Sequence, residues 1–201
     1  MKRLVLSWAG ISDIDFFSGS FISIWRLPSR RSCLQYMLDE VKIEDGTAYL
    51  PQVRLLIREY ARRLNRDLSF QHQEEELKDV AAKYSAPYGE LLVAVENGNV
   101  LGMVAYHRHS EIRCEMKRLY VVPQARGRHI GESLVAMILE HACRAGYEEM
   151  VLDTITPLKT AIRLYQKYGF EECAPYYENP MPDVIYMRKA LSYPFTERKI
   201  F

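Results

Sequence analysis

The 201-residue sequence has no long apolar run, no closely spaced cysteines and almost no net charge. No stretch approaches the roughly 18 apolar residues that a membrane-spanning helix needs, so we expect no membrane partner. The four cysteines form no C-x-x-C pair, which argues against a zinc site or a disulfide framework and favours reduced thiols in a cytoplasmic protein. A net charge of +1 supplies no broad basic field, so we expect no nucleic-acid partner.

Metal ligands are also poorly represented. His107 and His109 alternate along one predicted strand, but neither has a cysteine or carboxylate at the spacing of a metal site, so none is expected. The composition, 48% hydrophobic and 26% charged, is that of a globular protein. We expect a domain at residues 37–191, an N-terminal extension at 1–36 and a tail at 192–201. Disorder of the extension and a start at Met37 are both open alternatives.

Hydrophobic periodicity predicts a series of helices and strands. Asn97-Gly98 lies between two apolar runs and predicts a two-residue hairpin, because both positions tolerate positive φ. The expected strands are 38–43, 90–96, 99–107, 112–122, 150–154, 170–174 and 184–190, and the expected helices are 51–64, 74–84, 130–145 and 158–168. This order predicts one mixed sheet covered by helices, an α/β or α+β domain.

The strand-to-helix turn at 122–131 carries the strongest ligand signal. Its glycines leave backbone N–H groups unpaired at a helix N-terminus, where the helix dipole favours an anion. Arg126 and Arg128 add guanidinium groups that can bind phosphate oxygens. The alternative is an ordinary turn with solubilising arginines.

Several segments resemble, in order and spacing, the GNAT superfamily of N-acetyltransferases. They are Glu115–Val121, the turn at 122–131, Leu152–Thr154, Ala161–Tyr165 and Tyr168–Phe170. The resemblance covers Met37 to Leu191. It implies a mostly antiparallel sheet flanked by helices, in which two strands splay apart to hold acetyl-CoA. Segments 67–71 and 176–180 further resemble a bacterial subgroup of that superfamily.

The resemblance also implies a cofactor site. The pyrophosphate would bind the turn formed by Arg126, Gly127, Arg128, His129, Ile130 and Gly131. His129 stands where the family usually has a glycine, which bears on affinity. The backbone of Leu119, Tyr120 and Val121 would pair with the pantetheine arm like an added strand. Leu158 replaces an asparagine that contacts the cofactor in many members.

Amine acetylation requires a base for the amine and a proton donor for the departing thiolate. The resemblance implies that Tyr165 is the donor, and packing in the core is the alternative for this side chain. Glu115 and Asp153 are the candidate bases. A water relay, or a merely structural salt bridge of either carboxylate with Lys117 or Arg163, remains open.

The acceptor pocket is expected from two loops. Phe70 and Gln71 lie in one, and Tyr177 and Asn179 in the other; aromatic and acidic groups there would suit a cationic amine. The resulting hypothesis is an N-acetyltransferase that moves acetyl from acetyl-CoA to a primary amine of a small molecule or peptide. The alternative is a non-catalytic acyl-CoA-binding domain. The oligomeric state is left open, a homodimer included.

Overall fold

The computed structural model describes residues 41–64 and 73–192. Four predicted parts lie outside the described residues: the extension at 1–36, residues 38–40 of the strand expected at 38–43, the candidate acceptor residues Phe70 and Gln71, and all but residue 192 of the tail. Within the described ranges, no helix combines the length and the hydropathy that crossing a membrane requires.

The described strands form one seven-stranded sheet in the order β1-β2-β3-β4-β5-β7-β6. They are β1 (Lys42–Asp45), β2 (Gly89–Glu96), β3 (Asn99–Arg108), β4 (Arg113–Val121), β5 (Glu149–Ile155), β6 (Glu171–Glu172) and β7 (Val184–Ala190). The helices are α1 (Leu50–Leu64), α2 (Gln73–Lys78), α3 (Val80–Tyr84), α4 (Ile130–Arg144) and α5 (Lys159–Lys167), with 3-10 turns at Gly46–Tyr49 and Pro123–Ala125. Every neighbouring pair is antiparallel except β4 and β5, which are parallel. The predicted mixed, mostly antiparallel fold is confirmed.

The hairpin between β2 and β3 forms where the sequence predicts it. Asn97 and Gly98 have φ of 50° and 77°. A two-residue hairpin turn needs such left-handed values, because its twist must match that of the flanking strands. Glu96 and Asn99 are therefore the first pair of the ladder.

The prediction of one continuous helix at 74–84 is wrong, because the chain breaks at Asp79. This residue has φ −141° and ψ 75°, and its carboxylate accepts a hydrogen bond from the Ala82 amide at 2.9 Å. The N-cap of α3 thus interrupts the hydrophobic periodicity that runs through both short helices.

Helices cover both faces of the sheet. On one face, α4 buries Leu134 and Ile138. On the other face, α1 buries Val53 and Ile57. Side chains alternate along β4 between these two cores, so its residues reach both sides of the sheet.

The parallel pair β4 and β5 separates partway along its length. Their last paired residues are Glu115 and Val151, although β4 continues to Val121 and β5 to Ile155. An extra residue in β4 also shifts its register with β3, and Arg118 there has φ of 60°, as in a β-bulge. The carboxyl ends of the two strands therefore diverge, which confirms the splay expected from the sequence.

Candidate active site

A cavity of about 890 Å³ opens where β4 and β5 separate. Six parts of the chain surround it: the end of α1, the free end of β4, the following turn, the start of α4, the end of β5, and α5 with the loop before it. Predicted residues that line it are Leu119, Tyr120, Val121, Arg126, Gly127, His129, Ile130, Gly131, Asp153 and Tyr165. Most of the site residues predicted from the sequence therefore line one cavity.

The turn before α4 presents free backbone donors to this cavity. Gly127 has φ of 80°, and His129 is the N-cap of α4 with φ of 59°. Among the described residues, the amides of Ile130 and Gly131 have no hydrogen-bond acceptor. Unpaired amides at the positive end of a 15-residue helix are suited to bind an anion.

His129 adopts the left-handed conformation that a glycine would adopt easily. Its imidazole is 54% exposed, and Nδ1 lies 3.3 Å from Oε1 of Glu132. The side chain therefore follows the first turn of α4 and leaves the neighbouring amides uncovered.

The two arginines of the turn point to different places. Arg126 is exposed and lines the cavity, and its Nε donates to the Val121 carbonyl oxygen at 3.3 Å. Arg128 instead binds Glu96 at the end of β2, with Nη2 2.5 Å from Oε1, and is not among the residues that line the cavity. A phosphate bound in this cavity would therefore meet the guanidinium of Arg126 before that of Arg128.

Gly131 lies where α4 approaches β4 and α5. A Cβ added there would be 3.6 Å from the Leu164 side chain and 3.8 Å from that of Val121. Both distances are ordinary van der Waals contacts, so alanine fits and a larger side chain must project into the cavity.

The end of β4 has an unpaired backbone edge. Residues 119–121 line the cavity, and no backbone pairing with β5 extends past Glu115. An extended ligand can use such an edge as an additional strand would.

Tyr165 projects from α5 into the cavity. Its ring packs edge-on against Phe170 at 5.8 Å, and its hydroxyl forms no hydrogen bond within the described residues. Burial, with smaller contributions from Tyr60 and Asp153, raises the pKa of this phenol. Tyr165 is therefore a protonated donor at neutral pH.

Lys117 lies between the two candidate bases. Its Nζ is 2.7 Å from Oε1 of Glu115 and 2.7 Å from Oδ1 of Asp153, and it also lies 5.6 Å from the centre of the Tyr177 ring. Burial alone would lower the pKa of Lys117, but the two carboxylates outweigh burial and raise it. One ammonium group therefore holds both carboxylates.

Glu115 is fully engaged by its neighbours. It accepts a hydrogen bond from the Tyr176 hydroxyl at 2.7 Å, and its Oε2 lies 2.9 Å from Nε2 of His107. Burial alone would raise its pKa, but the hydrogen bond with His107 and the charge of Lys117 lower it to about 2. Glu115 is absent from the lining of the cavity, whereas Asp153 is part of it.

Two of the predicted acceptor residues join this network. Asn179 donates through Nδ2 to the Tyr177 hydroxyl at 2.8 Å and to Oδ2 of Asp153 at 3.3 Å. The Tyr186 hydroxyl donates to the Tyr177 carbonyl oxygen at 3.0 Å. The loop after β6 is therefore anchored beside Asp153.

Sequence reasoning missed Tyr60, which lines the cavity and was covered only by the helix predicted at 51–64. Lys117 was predicted as a possible salt-bridge partner of either carboxylate, and it contacts both. Within the part of the chain that the structure describes, no group of three or more histidine, cysteine or acidic side chains could hold a metal ion.

Comparison with known proteins agrees with this arrangement. The model of the acetyltransferase (GNAT) family matches residues 56–170. An uncharacterized N-acetyltransferase of Schizosaccharomyces pombe is 42% identical over 162 residues, which cover 78% of this chain and 99% of that protein. The chain belongs to the GNAT acetyltransferase family.

Solved structures share the fold. A GNAT-family acetyltransferase from Staphylococcus aureus superposes with a TM-score of 0.65 at 19% identity, over 76% of this chain and 99% of that one. An acetyltransferase from Salmonella typhimurium, solved with its cofactor acetyl-CoA, gives a TM-score of 0.55 at 20% identity over 76% and 95%. As a member of this family the chain is an acyltransferase, and acetyl-CoA is its co-substrate.

Proposed function

We propose that this enzyme transfers the acetyl group of acetyl-CoA to a primary amine of a small molecule or peptide. The observation that supports it is the single cavity shared by an anion-binding helix start, an unpaired strand edge and a buried phenol. These three features suit a pyrophosphate, a pantetheine arm and a thiolate leaving group, in that order along one ligand.

The cofactor roles follow from this order. The pyrophosphate accepts hydrogen bonds from the Ile130 and Gly131 amides, and the exposed guanidinium of Arg126 adds charge. The pantetheine amides pair with the free edge of residues 119–121. The side chain of Arg128, which binds Glu96, contributes least.

The reaction makes one bond and breaks one. The lone pair of the amine attacks the thioester carbonyl carbon, and the C–N bond forms. The C–S bond then breaks, the sulfur takes a proton from the Tyr165 hydroxyl, and the phenolate regains a proton from solvent. A base removes the proton that the amine nitrogen loses.

We assign the base to Asp153 rather than to Glu115. Asp153 lines the cavity, whereas Glu115 does not. The pKa of Glu115, lowered to about 2, also makes it a weak proton acceptor. Glu115 then positions Lys117 and Tyr176, whose hydroxyl donates to it. Replacing Asp153 with Asn should lower kcat more than replacing Glu115 with Gln, and the reverse order would restore Glu115 as the base.

We place the acceptor amine beside Asp153. The Asn179 amide binds both this carboxylate and the Tyr177 hydroxyl. The Tyr177 ring and Asp153 already contact the Lys117 ammonium group, so these two groups do not by themselves select a cationic acceptor. Phe70 and Gln71 remain predicted members of this pocket. The finer resemblance to a bacterial subgroup likewise remains a prediction.

The test is release of free thiol from acetyl-CoA in the presence of polyamines, amino acids and peptides. At least one amine should accelerate thiol release, with the acetylated amine identified by mass spectrometry. Binding is measured separately as a rise in melting temperature, since a ligand specific for the folded state stabilises it by about 2.7 kcal/mol at 100 times its Kd.

A matched pair of variants checks the cavity. In Gly131→Ala, acetyl-CoA should still raise the melting temperature, because the added Cβ makes only ordinary van der Waals contacts. Gly131→Phe should stay folded but lose this rise. Binding without acetylation of any amine would favour the non-catalytic alternative. If millimolar acetyl-CoA does not raise the melting temperature of the wild-type protein, the proposed cofactor site is wrong.

A further inference from the structure

Tyr60 stands on the wall of the cavity opposite Tyr165. It belongs to α1, which covers one face of the sheet, whereas Tyr165 belongs to α5 and to the core of the other face. The Tyr60 ring packs against that of Tyr120, with centroids 5.7 Å apart and planes at 56°. Both Tyr60 and Tyr165 line the cavity at the splay.

The Tyr60 hydroxyl has no hydrogen-bond partner within residues 41–64 and 73–192. Three tyrosines line the cavity, and the hydroxyl of Tyr120 donates to Oε1 of Glu59 at 3.1 Å. The other two, Tyr60 and Tyr165, have only ring contacts. A hydroxyl that faces a ligand cavity without a protein partner is free to donate a hydrogen bond to a bound ligand.

The two phenols are close enough to influence each other. Tyr60 and Asp153 contribute to the raised pKa of Tyr165, and Asp153 also acts on Tyr60. Burial is the main cause that raises the pKa of Tyr60, and the charge of Arg118 opposes it. At neutral pH both side chains are therefore neutral phenols that can donate hydrogen bonds.

A reacting thioester gathers negative charge at two atoms. The carbonyl oxygen becomes negative when the amine attacks, and the sulfur becomes negative when it leaves. Two donors from opposite walls match these two atoms, and Tyr165 is assigned to the sulfur.

We propose that the Tyr60 hydroxyl donates a hydrogen bond to the acetyl carbonyl oxygen and stabilises the oxyanion that forms there. This assignment rests on the proposed acetyl transfer. Tyr60 keeps its proton throughout: the oxyanion returns its electron pair to the carbonyl when the C–S bond breaks. It is thus a second catalytic tyrosine with a role different from that of Tyr165.

The first measurement needs no acceptor. Acetyl-CoA has the carbonyl oxygen and free CoA does not, so the ratio of their Kd values reports the contact. Tyr60→Phe keeps the ring on Tyr120 and removes only the hydroxyl. Its preference for acetyl-CoA over CoA should fall about three- to ten-fold, the net value of one hydrogen bond.

The second measurement is kinetic. Loss of one oxyanion donor lowers kcat by about 10²–10³-fold, so Tyr60→Phe should lose kcat with the best amine of the panel. Tyr49→Phe is the matched control, because its hydroxyl binds Glu44 at 2.6 Å and it does not line the cavity. Melting temperatures of both variants verify folding.

The outcomes separate this inference from the function on which it rests. An unchanged Kd ratio together with an unchanged kcat in Tyr60→Phe would overturn the assignment. If the wild type acetylates no amine but the Kd ratio still falls in Tyr60→Phe, the acceptor proposal fails and the carbonyl contact stands. A loss of kcat in Tyr60→Phe no larger than the loss in Tyr49→Phe would also overturn the assignment.

Discussion

Lys117 and Asp153 meet at 2.7 Å across the gap between β4 and β5, two residues beyond the end of the backbone pairing of these strands. The last pair is Glu115 with Val151, and each member of the ion pair lies two residues further along its strand. Side chains thus connect the strands where backbone hydrogen bonds no longer do. The ion pair fixes the width of the cleft at its closed end.

Removal of this buried cation should destabilise the protein strongly. Lys117→Met leaves two buried carboxylates without their cation, which we expect to cost about 3–5 kcal/mol of unfolding free energy. Urea denaturation at pH 7 measures this loss, and Asp153→Asn combined with Lys117→Met gives the coupling energy, expected at about 0.5–3 kcal/mol. The control is Arg144→Met, from an exposed pair with Glu140 that should contribute less than about 1 kcal/mol. Equal losses in the two Met variants would contradict a structural role for the cleft pair.

Tyr165 should affect the rate and not the affinity. Tyr165→Phe keeps the ring against Phe170 and removes the proton donor, so kcat should fall about 10²–10⁴-fold with an unchanged Kd for acetyl-CoA. Tyr165→Ala should in addition lose stability, about 3–5 kcal/mol if it resembles other deletions of buried aromatic rings. Stopped-flow thiol release and calorimetry on both variants provide the measurements. A purely structural Tyr165 would show a wild-type kcat in the Phe variant.

Glu76 should make folding sensitive to acid. Its carboxylate binds the Arg118 guanidinium, with Nε 2.6 Å from Oε1. Burial alone would raise the pKa of Glu76, but Arg118 and Lys83 lower it to about 2 from 4.5. A lowered pKa means stability that is present above about pH 4.5 and is lost as pH falls toward 2.

Glu76→Gln therefore should cost about 3–5 kcal/mol at pH 7, because it leaves Arg118 buried without its anion. The difference from wild type should shrink between pH 5 and pH 3 in urea denaturation. Glu111→Gln, at a side chain that is 91% exposed, should change little at either pH. A Glu76→Gln deficit that stays constant with pH would contradict the depressed pKa.

The proposed boundary at Met37 can be tested by truncation. A chain that starts at Met37 should fold and show the same acetyl-CoA-dependent rise in melting temperature as the full chain. The described core begins with Val41, which packs against the cluster around α4. Loss of solubility or of binding in the truncated chain would place residues 1–36 within the domain.

The sequence predicted correctly those elements that are determined by residues close together in the chain. Asn97-Gly98 specified the hairpin because few residues accept both backbone conformations. Regular periodicity located α1, α4 and α5 to within a few residues. The break at Asp79 escaped prediction because a side-chain cap competes with a hydrophobic period that continues through it.

The site was only partly predictable for a related reason. Tyr165 and Asp153 were assigned from motif order, and both line the cavity. The bulge at Arg118 and the ion pairs of Lys117 depend on strands that are distant in sequence. Tyr60 fits a helix's apolar face as well as it fits a cavity wall, so periodicity alone could not separate these two roles.

The buried position of Lys117 has a consequence for the enzyme's own chemistry. A lysine beside bound acetyl-CoA is itself a primary amine, and an uncharged one would compete with the true acceptor. The carboxylates of Glu115 and Asp153 raise its pKa, so its nitrogen carries a proton in place of the lone pair that attack requires. We therefore expect Lys117 itself to be a poor acceptor of the acetyl group.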